Sequence, residues 1–192
     1  MSNENAKLGD AVEATVTRNA GGSEFFGLQG VYTAECYDAQ GNLKWSDAIE
    51  NLTTNVGRKS LLDSYFANTG GGAVVMGLMG TGTPSYTDTQ SSHGTWLEVG
   101  GTNAPTYSGT RKTPTFSAAT DANPSVLATS TAVIFTMTGS GTVAGAFINI
   151  GGSTSIDNTT GILFSAGDFT AGSKTVTSGD TINVTYTLSA SG

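Results

Sequence analysis

The sequence predicts an all-β chain: an antiparallel β-sandwich, with the jelly roll as the expected kind, one short helix over about 55–67 and an N-terminal arm. Three observations carry that prediction. The 192 residues hold 27 glycines, threonine is more frequent still, and only 12% of residues are charged, a composition of many short strands joined by Gly/Ser/Thr/Asn turns. From residue 130 onward the hydrophobic period is two, and turn signals recur every 8–12 residues along the chain. No longer internal period repeats, which argues against solenoids and propellers. The length suits one domain large enough to bury a core, divided here into an arm over 1–30 and a sandwich over 31–192.

Residues 1–30 are polar and broken by "NAGGSEFFGLQG", in which Phe25, Phe26 and Leu28 stand between glycines. Two readings stay open: a frayed terminus whose rings dock on their own domain, and an arm that grips a neighbouring subunit. "VYTAECY" (31–37) is β-branched and aromatic and reads as a strand. "DAQGN" then supplies a turn, "LKW" returns as the second half of a hairpin, and the polar "SDAIENLTTN" leads away. Thr54 or Asn55 can cap a helix over "VGRKSLLDSYFA", with Leu61, Leu62, Tyr65 and Phe66 on one apolar face, and the glycines at 70–72 end it.

"AVVMGLM" (73–79) is an apolar run short enough for a strand buried on both faces. The section 80–116 is long, polar and holds three of the four prolines, with brief strand-like pieces at "TWLEV" and "RKTPTF". Loops of that length are commonly functional, so this is the first candidate for a partner-binding surface, with Tyr86, Trp96 and Tyr107 as rings that could stack on sugars. "TAVIFTMT" and "TVAGAFINI" flank "GSG", read as a hairpin loop, and "GILFS" follows "GGSTSIDNTT". After the turn "TSGD" (177–180), the last segment alternates, with Ile182, Val184, Tyr186 and Leu188 on one side and threonines and Asn183 on the other. Eight or nine strands are expected in all.

The formal net charge is −7 and the pI about 4.4. Binding a nucleic-acid backbone requires clustered Lys and Arg, and eight are scattered here, so no nucleic-acid partner is expected. No leader-like or membrane-spanning apolar run is present, so no membrane partner is expected either. The single cysteine, Cys36, admits no intrachain disulfide; it lies in a predicted strand with no adjacent cation and reads as buried and inert. His93 has Asp88 and Glu98 five residues to either side, a spacing that matches no strong metal motif, and a turn histidine bonded to the backbone is the better reading. No nucleophile-elbow pattern or phosphate loop occurs, and the expectation is of no catalytic residue, no metal and no cofactor.

The segments "YDAQGNLKWSDAIENLTTNVGRKSLLDSYF", "DTQSSHGTWLE", "TPTFS", "STAVIFTMTGSGTVAGAFI", "GILFSAGDF" and "SGDTINVTYTLS" together resemble a group of tailed-bacteriophage virion proteins over roughly residues 30–190. The shared motifs are structural and name no site. The resemblance implies a virion structural protein made in the host cytoplasm. Its expected role is a capsid cement or decoration protein on the head surface, partnered by the major capsid protein and by copies of itself, trimers being one form. A tail-fibre or tail-associated host-receptor-binding module is the alternative, with a β-sandwich hydrolase as a third class. Phe25, Phe26 and Leu28 are the expected contacts of the first role, and Tyr86, Trp96 and Tyr107 of the second.

Overall fold

The computed structural model describes residues 27–66 and 71–191. Phe25, Phe26 and the rest of the expected arm up to residue 26 lie outside the described residues. The described residues form twelve strands and one helix: β1 (Gly27–Tyr37), β2 (Leu43–Glu50), β3 (Leu52–Thr53), α1 (Asn55–Phe66), β4 (Val74–Gly82), β5 (Trp96–Val99), β6 (Ser125–Ala128), β7 (Val133–Thr136), β8 (Gly141–Val143), β9 (Gly145–Ile150), β10 (Ile162–Asp168), β11 (Lys174–Val176) and β12 (Thr181–Ser191). Sheet A runs β2-β1-β12-β6, with β7 also on β12; sheet B runs β3-β10-β9-β4-β5; β8 and β11 make a small ribbon. Every pairing is antiparallel. The architecture is the expected sandwich, and pairing of the first long strand with the last is the feature it shares with a jelly roll.

Alternation decides what enters the core. Tyr32, Ala34 and Cys36 of β1 and Ile182, Val184 and Tyr186 of β12 point inward with Phe135 of β7, and meet Met76 and Leu78 of β4, Ile148 of β9 and Phe164 of β10. The Tyr32 and Tyr186 rings lie 4.6 Å apart, and Tyr32 Oη is 2.6 Å from Ser165 Oγ across the layer, so the buried hydroxyl is satisfied. Burying each large apolar side chain contributes about 1.5–3 kcal/mol before entropy is subtracted.

Turn chemistry sets the β1–β2 register. Asp38 Oδ1 accepts from the Gln40 and Asn42 amides at 2.9 and 2.8 Å, and Gly41 takes φ +85°, which a side chain would resist. β2 does not stop at "LKW": it continues through "SDAIE", whose Ile49 is buried, so the polar appearance of that stretch reflects one outward face and not an exit from the sheet. β1 begins at Gly27, paired with Ser191, which moves residues 27–30 and half-buried Leu28 from the arm into sheet A.

Helix α1 starts where expected, with Thr54 Oγ1 accepting from the Gly57 amide at 3.0 Å. Its first turns pack on β10 through small residues: Gly57 and Ser60 are buried, and a Cβ on Gly57 would run into the Phe164 carbonyl oxygen. Leu61 is half-buried; the side chains of Leu62, Tyr65 and Phe66 lie outside the described residues. β4 is buried on both faces, as its apolar run predicted. The "GSG" hairpin is corrected: β7 pairs with β12 whereas β8 pairs with β11 and β9 joins sheet B, so residues 137–140 carry the chain away from sheet A. Alternation identified the strands and could not identify their partners.

Candidate interaction surfaces

The two outer faces of the sandwich differ. The outer face of sheet B presents Met79, Trp96, Phe147, Leu163 and Ala166, a second buried cluster separate from the main core. Over it lie parts of the section 80–116 and the loop 151–160, pinned by one buried ion pair. Arg111, 2% exposed, donates Nε to Glu98 Oε1 at 2.8 Å and Nη2 to Glu98 Oε2 at 2.6 Å. Two further donors reach the carbonyls of Ser153 (3.1 Å) and Asn158 (2.7 Å), and the guanidinium sits 5.4 Å from the Phe147 ring centre. Glu98 Oε2 also accepts from the Asp157 amide at 3.0 Å, where Asp157 takes φ +60°, a conformation its short polar side chain tolerates. Deeper in, Asn149 Nδ2 donates to Gln90 Oε1 (2.8 Å) and the Thr160 carbonyl (3.0 Å). A bidentate pair with four of the five guanidinium N–H donors placed is an arrangement in which a buried charge is tolerated.

This roof accounts for the three residues weighed as metal ligands. His93 has a ring nitrogen 3.2 Å from the Trp96 carbonyl oxygen and stacks on the Trp96 ring at 3.9 Å. Asp88 accepts from Trp96 Nε1 and from the Ser85 amide, both at 2.9 Å, while Glu98 is taken by Arg111. They do not converge, and among the described residues no group of three His, Cys, Asp or Glu side chains could hold a metal ion. The ring-stacking expectation is corrected for two of its members. Trp96 is 1% and Tyr107 3% exposed; both rings serve the interior, Tyr107 packing edge-on to Phe135 at 5.0 Å. Only Tyr86, 56% exposed, offers a free ring, beside Arg58 at 5.7 Å. Sequence reasoning missed Arg111 as the centre of the roof, because nothing in "GTRKT" distinguishes a buried arginine from a solvated one.

Among the described residues, no loop roofs the outer face of sheet A. Its rows, read from the register, are Val31–Thr187–Ala128, Thr33–Thr185, Glu35–Asn183–Ile134 and Tyr37–Thr181–Thr136. Val31 and Ile134 are exposed, Ile134 by 53%. The hydroxyls of Thr33 and Thr185 bond each other, and Tyr37 Oη donates to Glu35 Oε2 at 2.6 Å. Asn183 Oδ1 is buried without a hydrogen-bond partner.

Connecting loops bond to four of the outer strands, β2, β5, β6 and β7. Ser108 N donates to Thr136 O (2.8 Å) on β7, Ser117 N to Ala128 O (2.9 Å) on β6, Thr170 N to Ala48 O (2.9 Å) on β2, and Asn103 Nδ2 to Glu98 O (3.0 Å) on β5. Such bonds blunt an edge against strand addition. Two ion pairs lock the β2 side: Lys44 with Asp180, and Lys174 Nζ with Asp47 Oδ2 at 2.7 Å. Burial alone would raise the Asp47 carboxyl, but bonds from Lys174, Thr170, Ala48 and Ala171 overcome it and hold the group at about 2. Cys36 is buried, and burial, with Asp180 adding and Lys44 opposing, pushes its thiol up to about 11, so it stays protonated at neutral pH.

No family model matches the chain, and no curated protein or solved structure matches it either. The likeness to phage virion proteins therefore rests on the sequence motifs alone.

Proposed function

We propose that the chain is a structural protein of a tailed-bacteriophage virion, a cement or decoration protein that bridges capsomers of the major capsid protein on the head surface. The observation that carries this reading is the contrast of faces: a slab whose one side is roofed by a fixed polar network, and whose other side is a flat, low-charge sheet with exposed Val31 and Ile134. The motifs shared with virion proteins fall on elements that build this slab: the Asp38 turn, the start of α1 and the Asp180 turn, where Asp180 Oδ2 accepts from Thr177 N at 2.7 Å. With loop bonds on four of the outer strands, attachment works through a face and through residues 1–26, not by adding a strand.

The receptor-binding alternative draws on aromatic stacking, and of its three rings only Tyr86 is exposed. The test uses particles that lack this protein. Wild-type chain is expected to rebind in hundreds of copies, whereas a fibre module would bind in tens or fewer. The Phe25→Ala/Phe26→Ala chain, with an unchanged melting curve, is expected to lose occupancy. Failure of the wild-type chain to bind heads defeats the cement reading; wild-type occupancy by the double variant defeats the arm.

A further inference from the structure

We infer that the bare outer face of sheet A is a self-pairing surface, on which a second copy of this chain lies sheet against sheet. The inference goes beyond the virion reading and stands on the face alone.

Three observations carry it. The first is that loop bonds fall on the outer strands β2, β5, β6 and β7, which blunts edge-to-edge pairing there and favours a face as the way two copies meet. The second is size. The face is about four strands wide, since β6 and β7 follow one another along β12, and its two central strands are 11 residues long. At about 4.8 Å between strands and about 3.4 Å per residue, with 8 residues from β2 and 4 each from β6 and β7, this is roughly 600 Å², somewhat below the ~800 Å² that one partner gives a standard interface.

The third is charge. A chain of net charge −7 repels its copies, and it can approach one only where charge has been removed. In the four rows of this face the one ionisable carboxylate is Glu35, which accepts the Tyr37 hydroxyl; Glu50 stands at the rim beside Val31. A two-fold axis in the plane of the contact lays the β12 strands over one another, so that Thr181, Thr185 and Asn183 of each copy face the same set, with Val31 and Ile134 filling the apolar positions. The roof over sheet B offers no such surface, since its apolar cluster is already buried.

Sedimentation velocity of the full chain over a wide concentration range tests the inference. The wild-type chain is expected to pair. Ile134→Glu, and separately Thr185→Lys, are each expected to weaken pairing at least tenfold with the β-rich circular dichroism and the melting curve retained; Thr185→Lys serves if Ile134→Glu fails to fold. Tyr86→Glu, on the other side of the slab, is expected to pair as wild type. A wild-type chain that sediments as a monomer throughout overturns the inference, as does undiminished pairing of a folded Thr185→Lys chain. Face variants that still pair but no longer bind particles would assign the face to a capsid partner and likewise overturn it. The sedimentation outcomes do not depend on whether wild-type chain rebinds particles, so self-pairing and the virion reading can fail separately.

Discussion

Sheet B's outer face and sheet A's outer face come from the same alternation of residues, and they end in opposite states. On sheet B the outward positions are Met79, Trp96, Phe147 and Leu163, and the chain covers them with loops held by Arg111 and Glu98. On sheet A the outward positions are mostly threonine, and nothing among the described residues covers them. The difference teaches that parts of the long polar section 80–116 serve as a structural cover for sheet B, while Tyr86 and Leu97 of the same section stay exposed and the outer face of sheet A is left uncovered by the described residues.

The contrast can be broken most sharply at the roof. Arg111→Met strands the Glu98 carboxylate in the interior, and loss of one partner of a buried pair costs about 3–5 kcal/mol, read as a lower urea midpoint. Arg111→Met/Glu98→Leu should recover much of that loss, because the pair then leaves no orphaned charge. A single variant within about 1 kcal/mol of wild type would show that the roof is held by something else. Gly57→Ala comes next: its methyl meets the β10 backbone at Phe164, and overpacking of that kind costs about 1–3 kcal/mol. An unchanged melting temperature would mean that α1 shifts freely on the sheet.

The third prediction concerns acid. The Asp47 carboxyl is held near 2 against an ordinary 3.8, and Asp180 is also lowered, its bonds from Lys44 and Thr177 outweighing burial. A depressed carboxyl contributes stability that is complete above its unfolded value and is lost as pH falls through its folded one. Melting temperature should therefore hold down to about pH 4 and fall steadily toward pH 2. Asp47→Asn should flatten that fall. Asp168 has the opposite sign: burial raises its carboxyl, Thr83 opposes, and one oxygen has no partner, so Asp168→Asn should stabilise the chain at neutral pH. The smallest effect belongs to the bare face, where Thr33→Val removes one exposed hydroxyl bond and should change monomer stability by no more than about 0.5 kcal/mol.

Much of this was legible in the sequence. The inward set Ile182, Val184 and Tyr186, the doubly buried β4, the turn at Asp38 and the cap at Thr54 all follow from local pattern, and each stands in the structure. What was not legible depends on distant partners. β6 and β11 are short and unremarkable in sequence, and they are strands because β12 and β8 lie beside them. Trp96 and Tyr107 looked like surface rings because their neighbours are polar, yet Trp96 is buried under the roof and Tyr107 enters the main core beside Phe135. The Arg111–Glu98 pair joins residues thirteen positions apart whose meeting depends on where loop 151–160 returns.

The pairing of β1 with β12 has a consequence for how the chain is made. Glu35 finds its partner at Asn183 and Tyr32 at Tyr186, so the first long strand waits for almost all of the polypeptide before it gains its longest neighbour. During synthesis at about 5–20 residues per second, β1 and β2 emerge as an isolated hairpin with one apolar side unprotected, and two-stranded hairpins are marginal alone. Sheet A closes only after residue 191 has cleared the ribosome tunnel, so its maturation is governed by long-range closure.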